Sequence, residues 1–213
     1  MKKVLAINGS PRKDRNTATL LQHALDGANS VGAKTELIHL TDYKYSGCIS
    51  CFACKRKGTK FIGKCAVNDE LTPILDKAMK STAIFLGSPI YLGDVTSLMR
   101  AFMERLVFMN ISYDNSSYSS FKGSIPTAFI YTMNVSGHAA SLFEYVYRMN
   151  SSVLQTLKGT SDYYISGDTY QFDDYSQYNV SLFSEEHKAK VRAENFPKDC
   201  EQVFEMGVDM GKE

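Results

Sequence analysis

The 213-residue sequence has almost no net charge: 24 Lys and Arg face 23 Asp and Glu, a formal +1 at pH 7. A nucleic-acid binder shows a basic excess on one face, and an acidic electron shuttle steers to its partners by a strong field. Neither class fits. A long apolar run is also missing. The longest candidate, Ser81 to Gly93, is broken by Gly87 and Pro89, well short of the roughly 18–20 residues that cross a bilayer. No nucleic-acid and no membrane partner is expected. The start, Met1-Lys2-Lys3, leads into only Val4-Leu5-Ala6-Ile7. That is too short for the apolar core of a secretory leader, so a cytoplasmic location is expected. The Asn-x-Ser triplets at Asn110, Asn115, Asn134, Asn150 and Asn179 are then spelling rather than glycan sites. Internal repeats, linkers and low-complexity segments are absent too.

Against these absences, 44% hydrophobic and 22% charged residues describe an ordinary globular chain, long enough for a sizeable core without staples. Short apolar runs alternate with amphipathic stretches. Strands are predicted at Val4–Ile7, Glu36–Leu40, Ala83–Leu86, Pro126–Tyr131 and Tyr163–Ile165. Helices are predicted over Asn16–Ser30, Asp69–Lys80, Asp94–Phe108, Ala139–Leu157, and from Glu185 with an interruption at Pro197. That rhythm gives an α/β domain: a doubly wound, five-stranded parallel sheet in the order 2-1-3-4-5, with helices on both faces. One domain over 1–213 is expected. A Cys-rich insertion at about 41–67 and an aromatic and helical C-terminal extension at about 166–213 fit the rhythm poorly, and such irregular stretches usually carry function.

Two known phosphate fingerprints, GxGxxG and GxxxxGK[ST], are missing. In their place the first strand runs into Asn8-Gly9-Ser10-Pro11-Arg12 and on to Asn16-Thr17. Free N–H groups at a helix start favour an anion; Ser10, Asn16 and Thr17 offer side-chain donors, and Arg12 a planar cation. Without pyrophosphate-cradling glycines, a phosphate monoester suits this loop better than a dinucleotide; a plain turn with a capping Asn16 is the alternative. The third strand leads to Gly87-Ser88-Pro89-Ile90-Tyr91-Leu92-Gly93. In the expected strand order both loops open on one crevice. The second adds apolar atoms beside exposed N–H groups, as a flat heteroaromatic ring requires, although Tyr91 would also serve as core packing. A third loop, from Thr132 to His138, should rim the same crevice.

Gly9-Ser10-Pro11-Arg12 through Asn16-Thr17, Gly87-Ser88-Pro89-Ile90-Tyr91, and the helix ending Phe102-Met103-Glu104-Arg105 together resemble the NADPH-dependent FMN reductase family of the flavodoxin-like fold. The resemblance covers about residues 2–165. It implies that Ser10, Arg12, Asn16 and Thr17 hold the FMN phosphate. It implies that Pro89, Ile90, Tyr91, Leu92 and Gly93 lie along the isoalloxazine, with Thr132, Met133 and Asn134 on its other edge. It also implies NAD(P)H as co-substrate and a homodimer or homotetramer.

Four of the five cysteines, Cys48, Cys51, Cys54 and Cys65, fall within 18 residues as C-x2-C-x2-C-x10-C. Three thiolates within seven residues can wrap one cubane, and a fourth can close it. A tetrathiolate zinc site, redox-active thiols and ordinary reduced cysteines are the other readings; a disulfide is disfavoured in a reducing compartment. The segment is similar to that of the iron-sulfur flavoproteins, which implies a 4Fe-4S cluster, although its last spacing is longer than theirs. Cys200, alone, reads as a buried small hydrophobe.

Other candidates have structural readings beside functional ones. Glu104 and Arg105 are expected to form an ion pair or a subunit contact. Asp173 and Asp174, among Tyr170, Phe172, Tyr175 and Tyr178, either cover a neighbour's flavin or cap an aromatic interface. Lys55 to Lys60 form a solvated face or attract a dinucleotide's phosphates. His138 faces solvent or the flavin edge. His23, His39 and His187 show no partner pattern. The expected function is an FMN-dependent NAD(P)H oxidoreductase of flavin- or quinone-reductase type, with no catalytic side chain and a small-molecule acceptor or redox protein as second partner. The alternative is an electron carrier between FMN and the cluster.

Overall fold

A computed structural model describes residues 1–114 and 117–212. The Asn115 triplet and the side chain of His138 lie outside the described residues. The elements run β1 (Lys3–Asn8), α1 (Asn16–Ser30), β2 (Lys34–His39), α2 (Thr72–Met79), β3 (Ala83–Tyr91), β4 (Asp94–Val95), α3 (Ser97–Asn110), β5 (Ile125–Thr132), α4 (Gly137–Ala140), α5 (Glu144–Leu154), β6 (Lys158–Ser166), α6 (Glu185–Glu194) and α7 (Phe196–Gly211).

Five strands pair in parallel in the order β2-β1-β3-β5-β6. Counting parallel strands alone, this is the expected 2-1-3-4-5. The cause is readable in the pleat, because successive side chains leave opposite faces. Leu5, Ile7, Ile84, Leu86, Phe129 and Tyr131 point into one core with α2, α3 and α5. Val4, Ala6, Phe85, Ala128 and Ile130 point into the other, with α1 and α7. Both faces are covered, so the central strands read as unbroken apolar runs. On the second face α1 and α7 pack backbone to backbone. A Cβ on Gly207 would fall 1.9 Å from the Ala24 carbonyl oxygen, so only glycine permits this approach.

Three expected elements differ. β3 continues through Gly87 to Tyr91 and turns back as β4, with Ile90 opposite Val95 and Tyr91 opposite Asp94; the expected loop is a hairpin. The expected helix Ala139–Leu157 is broken between Ala140 and Glu144. There the Tyr147 hydroxyl donates to the Ala140 carbonyl at 3.2 Å, satisfying a helix end that would otherwise be orphaned. Pro197 lies in the first turn of α7, where its missing N–H costs nothing, so the chain stops at Glu194 and restarts rather than kinks. The segments at 41–67 and 166–178 contain only short 3-10 turns.

Candidate functional site

The crevice is built by glycines first. Gly9 N–H donates to the Gly87 carbonyl at 2.8 Å, joining the carboxyl ends of β1 and β3. A Cβ on Gly9 would sit 2.7 Å from Met99 Cβ, and one on Gly87 2.9 Å from Thr17 Cγ2. Asn8 Oδ1 then accepts the Ser10 N–H at 2.9 Å, and Ser10 Oγ accepts the Arg12 N–H at 3.1 Å. These nested side-chain turns curl the loop toward the start of α1. No side chain caps α1 and no acid sits in its first turn, which leaves its N–H groups and positive dipole end to an anion. Ser10 and Thr17 are buried beside it.

Thr96 was missed in the sequence, though a Thr two residues after an Asp and just before an apolar helix is an N-cap signal. Its Oγ1 donates to the Gly9 carbonyl at 2.7 Å and accepts the Met99 N–H at 3.2 Å, while its own N–H reaches Ser88 Oγ at 3.0 Å. One residue thus caps α3 and ties the first loop to the second. The first and third loops meet where Thr17 Oγ1 lies 2.8 Å from Thr132 Oγ1.

The remaining expected ligands divide into two sets. Leu92 (φ 51°) and Gly93 (φ 86°) both adopt left-handed backbone at the hairpin tip, the signature of a two-residue primed turn. Leucine is an unfavoured occupant there, and its side chain is fully exposed; strain of this kind concentrates at functional sites. Tyr91 is half exposed, and Pro89 and Ile90 are half-buried. On the third loop Thr132 and Met133 are buried. The Asn134 carbonyl accepts from Lys188 Nζ at 2.6 Å, while Asn134 Oδ1 is buried with no partner. A buried acceptor left unpaired signals a missing donor.

Arg12 and Asn16 have partners of their own within the chain. Arg12 Nη1 donates to the Gln171 carbonyl at 2.6 Å, with the guanidinium 5.7 Å from the Phe172 ring. Asn16 Nδ2 donates to the Tyr170 carbonyl at 2.8 Å, and Asn16 Oδ1 accepts from Arg192 at 2.8 Å. Asp173 receives both Arg15 Nη groups at 2.7 and 2.5 Å. Residues 170–173 therefore lie across the loop between β1 and α1 as a strap of the same chain. Tyr175, buried between Tyr170 and Phe172, holds it down. Asp174 accepts from Ser176 and Gln177 within the strap.

The cysteines form the second feature. Cys48, Cys51, Cys54 and Cys65 all line one small cavity with Phe108, Met109 and Arg105. All five cysteines are free, and Cys200 is buried as expected. Among the described residues no three side chains stand at metal-binding separation. The donor chemistry nonetheless suits a thiophilic iron site: four cysteines line the one cavity, and left-handed backbone at Ser50 and Phe52 turns the chain between the first three. Burial pushes the Cys54 thiol up, opposed by the charge of Lys55.

Glu104 and Arg105 do not pair with each other. Glu104 Oε2 accepts the Cys48 N–H at 3.1 Å, whereas Arg105 pairs with Asp69 at 2.6 Å. Adjacent helical residues point about 100° apart, which separates them. Nor is Lys55 solvated. Its Nζ donates to the Phe108 and Ile111 carbonyls at the end of α3. His39 and His187 do have partners, Asn8 Nδ2 at 2.9 Å and Asp168 at 2.6 Å.

A sequence model of the NADPH-dependent FMN reductase family matches residues 2–158. The chain belongs to that family. An iron-sulfur flavoprotein of Methanocaldococcus jannaschii is 39% identical over 103 residues, 48% of this chain and 51% of that protein. One from Clostridioides difficile is 30% identical over 140 residues, 61% of this chain and 60% of its own. The chain thus matches about half the length of these relatives. Among solved structures, an FMN-dependent NADH-azoreductase from Bacillus anthracis in complex with FMN superposes with a TM-score of 0.67 at 12% identity, covering all of both chains. An NAD(P)H:quinone oxidoreductase from Methanothermobacter marburgensis superposes with a TM-score of 0.66 at 10% identity, covering 100% of this chain and 98% of its own. At these identities the likeness is one of flavodoxin-like fold. Among the described residues no helix is long and apolar enough to cross a membrane.

Proposed function

We propose that this FMN reductase family member is an FMN-dependent oxidoreductase that takes reducing equivalents from NAD(P)H and passes them to a small acceptor such as a quinone or flavin. The observation that carries the reading is the convergence of three loops at the carboxyl ends of β1, β3 and β5, tied by Gly9–Gly87, Thr96–Gly9 and Thr17–Thr132. Ser10, Thr17 and the uncapped N–H groups of α1 would hold the phosphate. Arg12 and Asn16 would contribute through the strap they hold, and Arg12 also through its charge. Pro89, Ile90, Tyr91, Leu92 and Gly93 would flank the ring on one side, with Thr132, Met133 and Asn134 on the other. The unpartnered Asn134 Oδ1 suits a ring N–H donor. FMN, when bound, supplies hydride acceptance and onward electron transfer; the chain positions it and excludes water. A partner of the same chain would cover the exposed Tyr91 and Leu92.

A second reading has its own support. Four thiols on one cavity, in a chain related to proteins named iron-sulfur flavoproteins, suit a 4Fe-4S cluster held by Cys48, Cys51, Cys54 and Cys65, and an electron relay rather than a simple reductase. One anaerobic experiment tests both. The purified chain should be yellow and release FMN, not FAD, on denaturation; colourless protein that takes up no FMN refutes the site. Iron and sulfide with ferredoxin-dependent reduction but no NAD(P)H turnover favours the relay. Steady NAD(P)H consumption with a quinone favours the reductase.

A further inference from the structure

The ten residues between Cys54 and Cys65 are too many for local geometry to bring the fourth sulfur back, so something else must return it. Both ends of this excursion are fastened to α3. At the outgoing end, Lys55 Nζ reaches the Phe108 and Ile111 carbonyls, two of the orphan acceptors at the end of the helix. At the returning end stands Arg105, whose side chain is fully buried. Its Nη1 donates to Asp69 at 2.6 Å and lies 3.4 Å from the Ser46 carbonyl; Nη2 donates to the Val67 carbonyl at 3.1 Å; Nε donates to Cys65 Sγ at 3.3 Å. Every face of the guanidinium is used, and its acceptors come from both limbs of the Cys loop. Its neighbour Glu104 holds the first cysteine by the Cys48 N–H.

We propose that Arg105 is the positioning residue of the four-thiol cavity. It closes the long loop by returning Cys65 to Cys48, Cys51 and Cys54, and its Nε–H tunes the iron-sulfur cluster these cysteines would hold. The proposal rests on the cluster reading above. Three arguments support it. A buried guanidinium is expensive unless all its donors are met, so evolution of this arrangement needs a return beyond one ion pair with Asp69. The planar fork serves four acceptors in fixed directions, which a lysine cannot. An N–H aimed at a ligand sulfur stabilises the more electron-rich, reduced form of a cluster, since hydrogen bonds to the sulfurs are among the determinants of its potential.

The test uses the full chain, reconstituted anaerobically with iron and sulfide, with FMN content measured in parallel. In wild-type protein containing 15N-labelled arginine, pulsed EPR of the reduced cluster should show a 15N coupling. Arg105→Lys keeps the charge opposite Asp69 but loses the Nε–H. It should lose that coupling, and its cluster potential should move negative while FMN content stays unchanged. Asp69→Asn removes a negative charge and leaves the Nε–H. It should keep the coupling and move the potential, if at all, the opposite way. A merely structural role predicts cluster loss in both variants with no coupling in either. An unchanged potential in Arg105→Lys, or no 15N coupling in the wild type, overturns the proposal while the cluster reading stands. Wild-type chain that binds FMN but takes up no iron overturns the cluster reading itself, and with it the role of Arg105. The wild-type coupling decides the matter even if Arg105→Lys does not fold.

Discussion

Ser10 is a small residue in a place where nothing larger or charged belongs. It is buried, its N–H is taken by Asn8, and its hydroxyl oxygen accepts the Arg12 N–H in the loop that leads to α1. Ser10→Asp would put a carboxylate beside the proposed phosphate. Two like charges near 4 Å repel by about 1 kcal/mol in water and about 4 kcal/mol at an intermediate dielectric. FMN affinity should therefore fall roughly 5- to 1000-fold. Fluorescence titration of the apoprotein measures it, with thermal unfolding as control; unchanged affinity would place the phosphate elsewhere. At this scale the sequence was legible where a residue acts on its neighbours. The end of β1 and the start of α1 that flank the first loop stand where the pattern put them, because a strand end and a helix start are local events. The partners of Arg12, Asn16 and Arg105 were not legible, because they lie 159, 154 and 36 positions away. Periodicity carries no record of such distances.

The strap at 168–178 has only the 3-10 turn Tyr175–Gln177 as regular structure, and two anchors compete as its chief support. The Arg15–Asp173 pair is bidentate but exposed on both sides, and exposed pairs are worth about 0–1 kcal/mol. Tyr175 is buried, packs on Tyr170 and Phe172, and its hydroxyl accepts the Gln171 N–H at 3.0 Å. Losing a large buried aromatic costs about 3–5 kcal/mol. FMN dissociation, followed by flavin fluorescence after dilution, should accelerate about tenfold or more in Tyr175→Ala and less than about fivefold in Asp173→Ala. The reverse order would make the ion pair the anchor.

The strap begins at Asp168, which also docks α6. Burial alone would raise its carboxyl, but the hydrogen bonds from buried Lys188 and from His187 outweigh it and hold Asp168 below its ordinary 3.8. A depressed carboxyl stabilises the fold above the ordinary value, and that contribution is lost as the pH falls through the lower folded value. Asp168 has left-handed backbone (φ 55°), which Asn tolerates, so Asp168→Asn isolates the charge. It should cost about 3 kcal/mol at pH 7, since it leaves the buried Lys188 without its counter-charge. The gap to wild type should narrow as the pH drops below 3.8. Urea midpoints at pH 7 and pH 3 measure it; an equal gap at both would separate Asp168 from the effect.

For the whole molecule, α3 is the member shared by both proposed sites. Its N-cap, Thr96, fastens the first loop to the second, and Arg105 reaches the cysteine cavity. Nine residues at about 1.5 Å each place the two some 14 Å apart along one rigid helix. The sheet order that creates the crevice was legible, since apolar runs alternating with helices leave few topologies. The closeness of the cysteines to α3 was not, because residues 41–67 show no period and owe their course to Lys55, Glu104 and Arg105. If the two sites work together, NAD(P)H reaches the iron only by way of the flavin. Protein stripped of FMN but retaining its iron should then keep its brown absorbance when NAD(P)H is added, bleach with dithionite, and regain NAD(P)H-driven bleaching once FMN is restored. Bleaching by NAD(P)H in the stripped protein would mean that the cysteine cavity accepts electrons directly, and that α3 joins two independent sites.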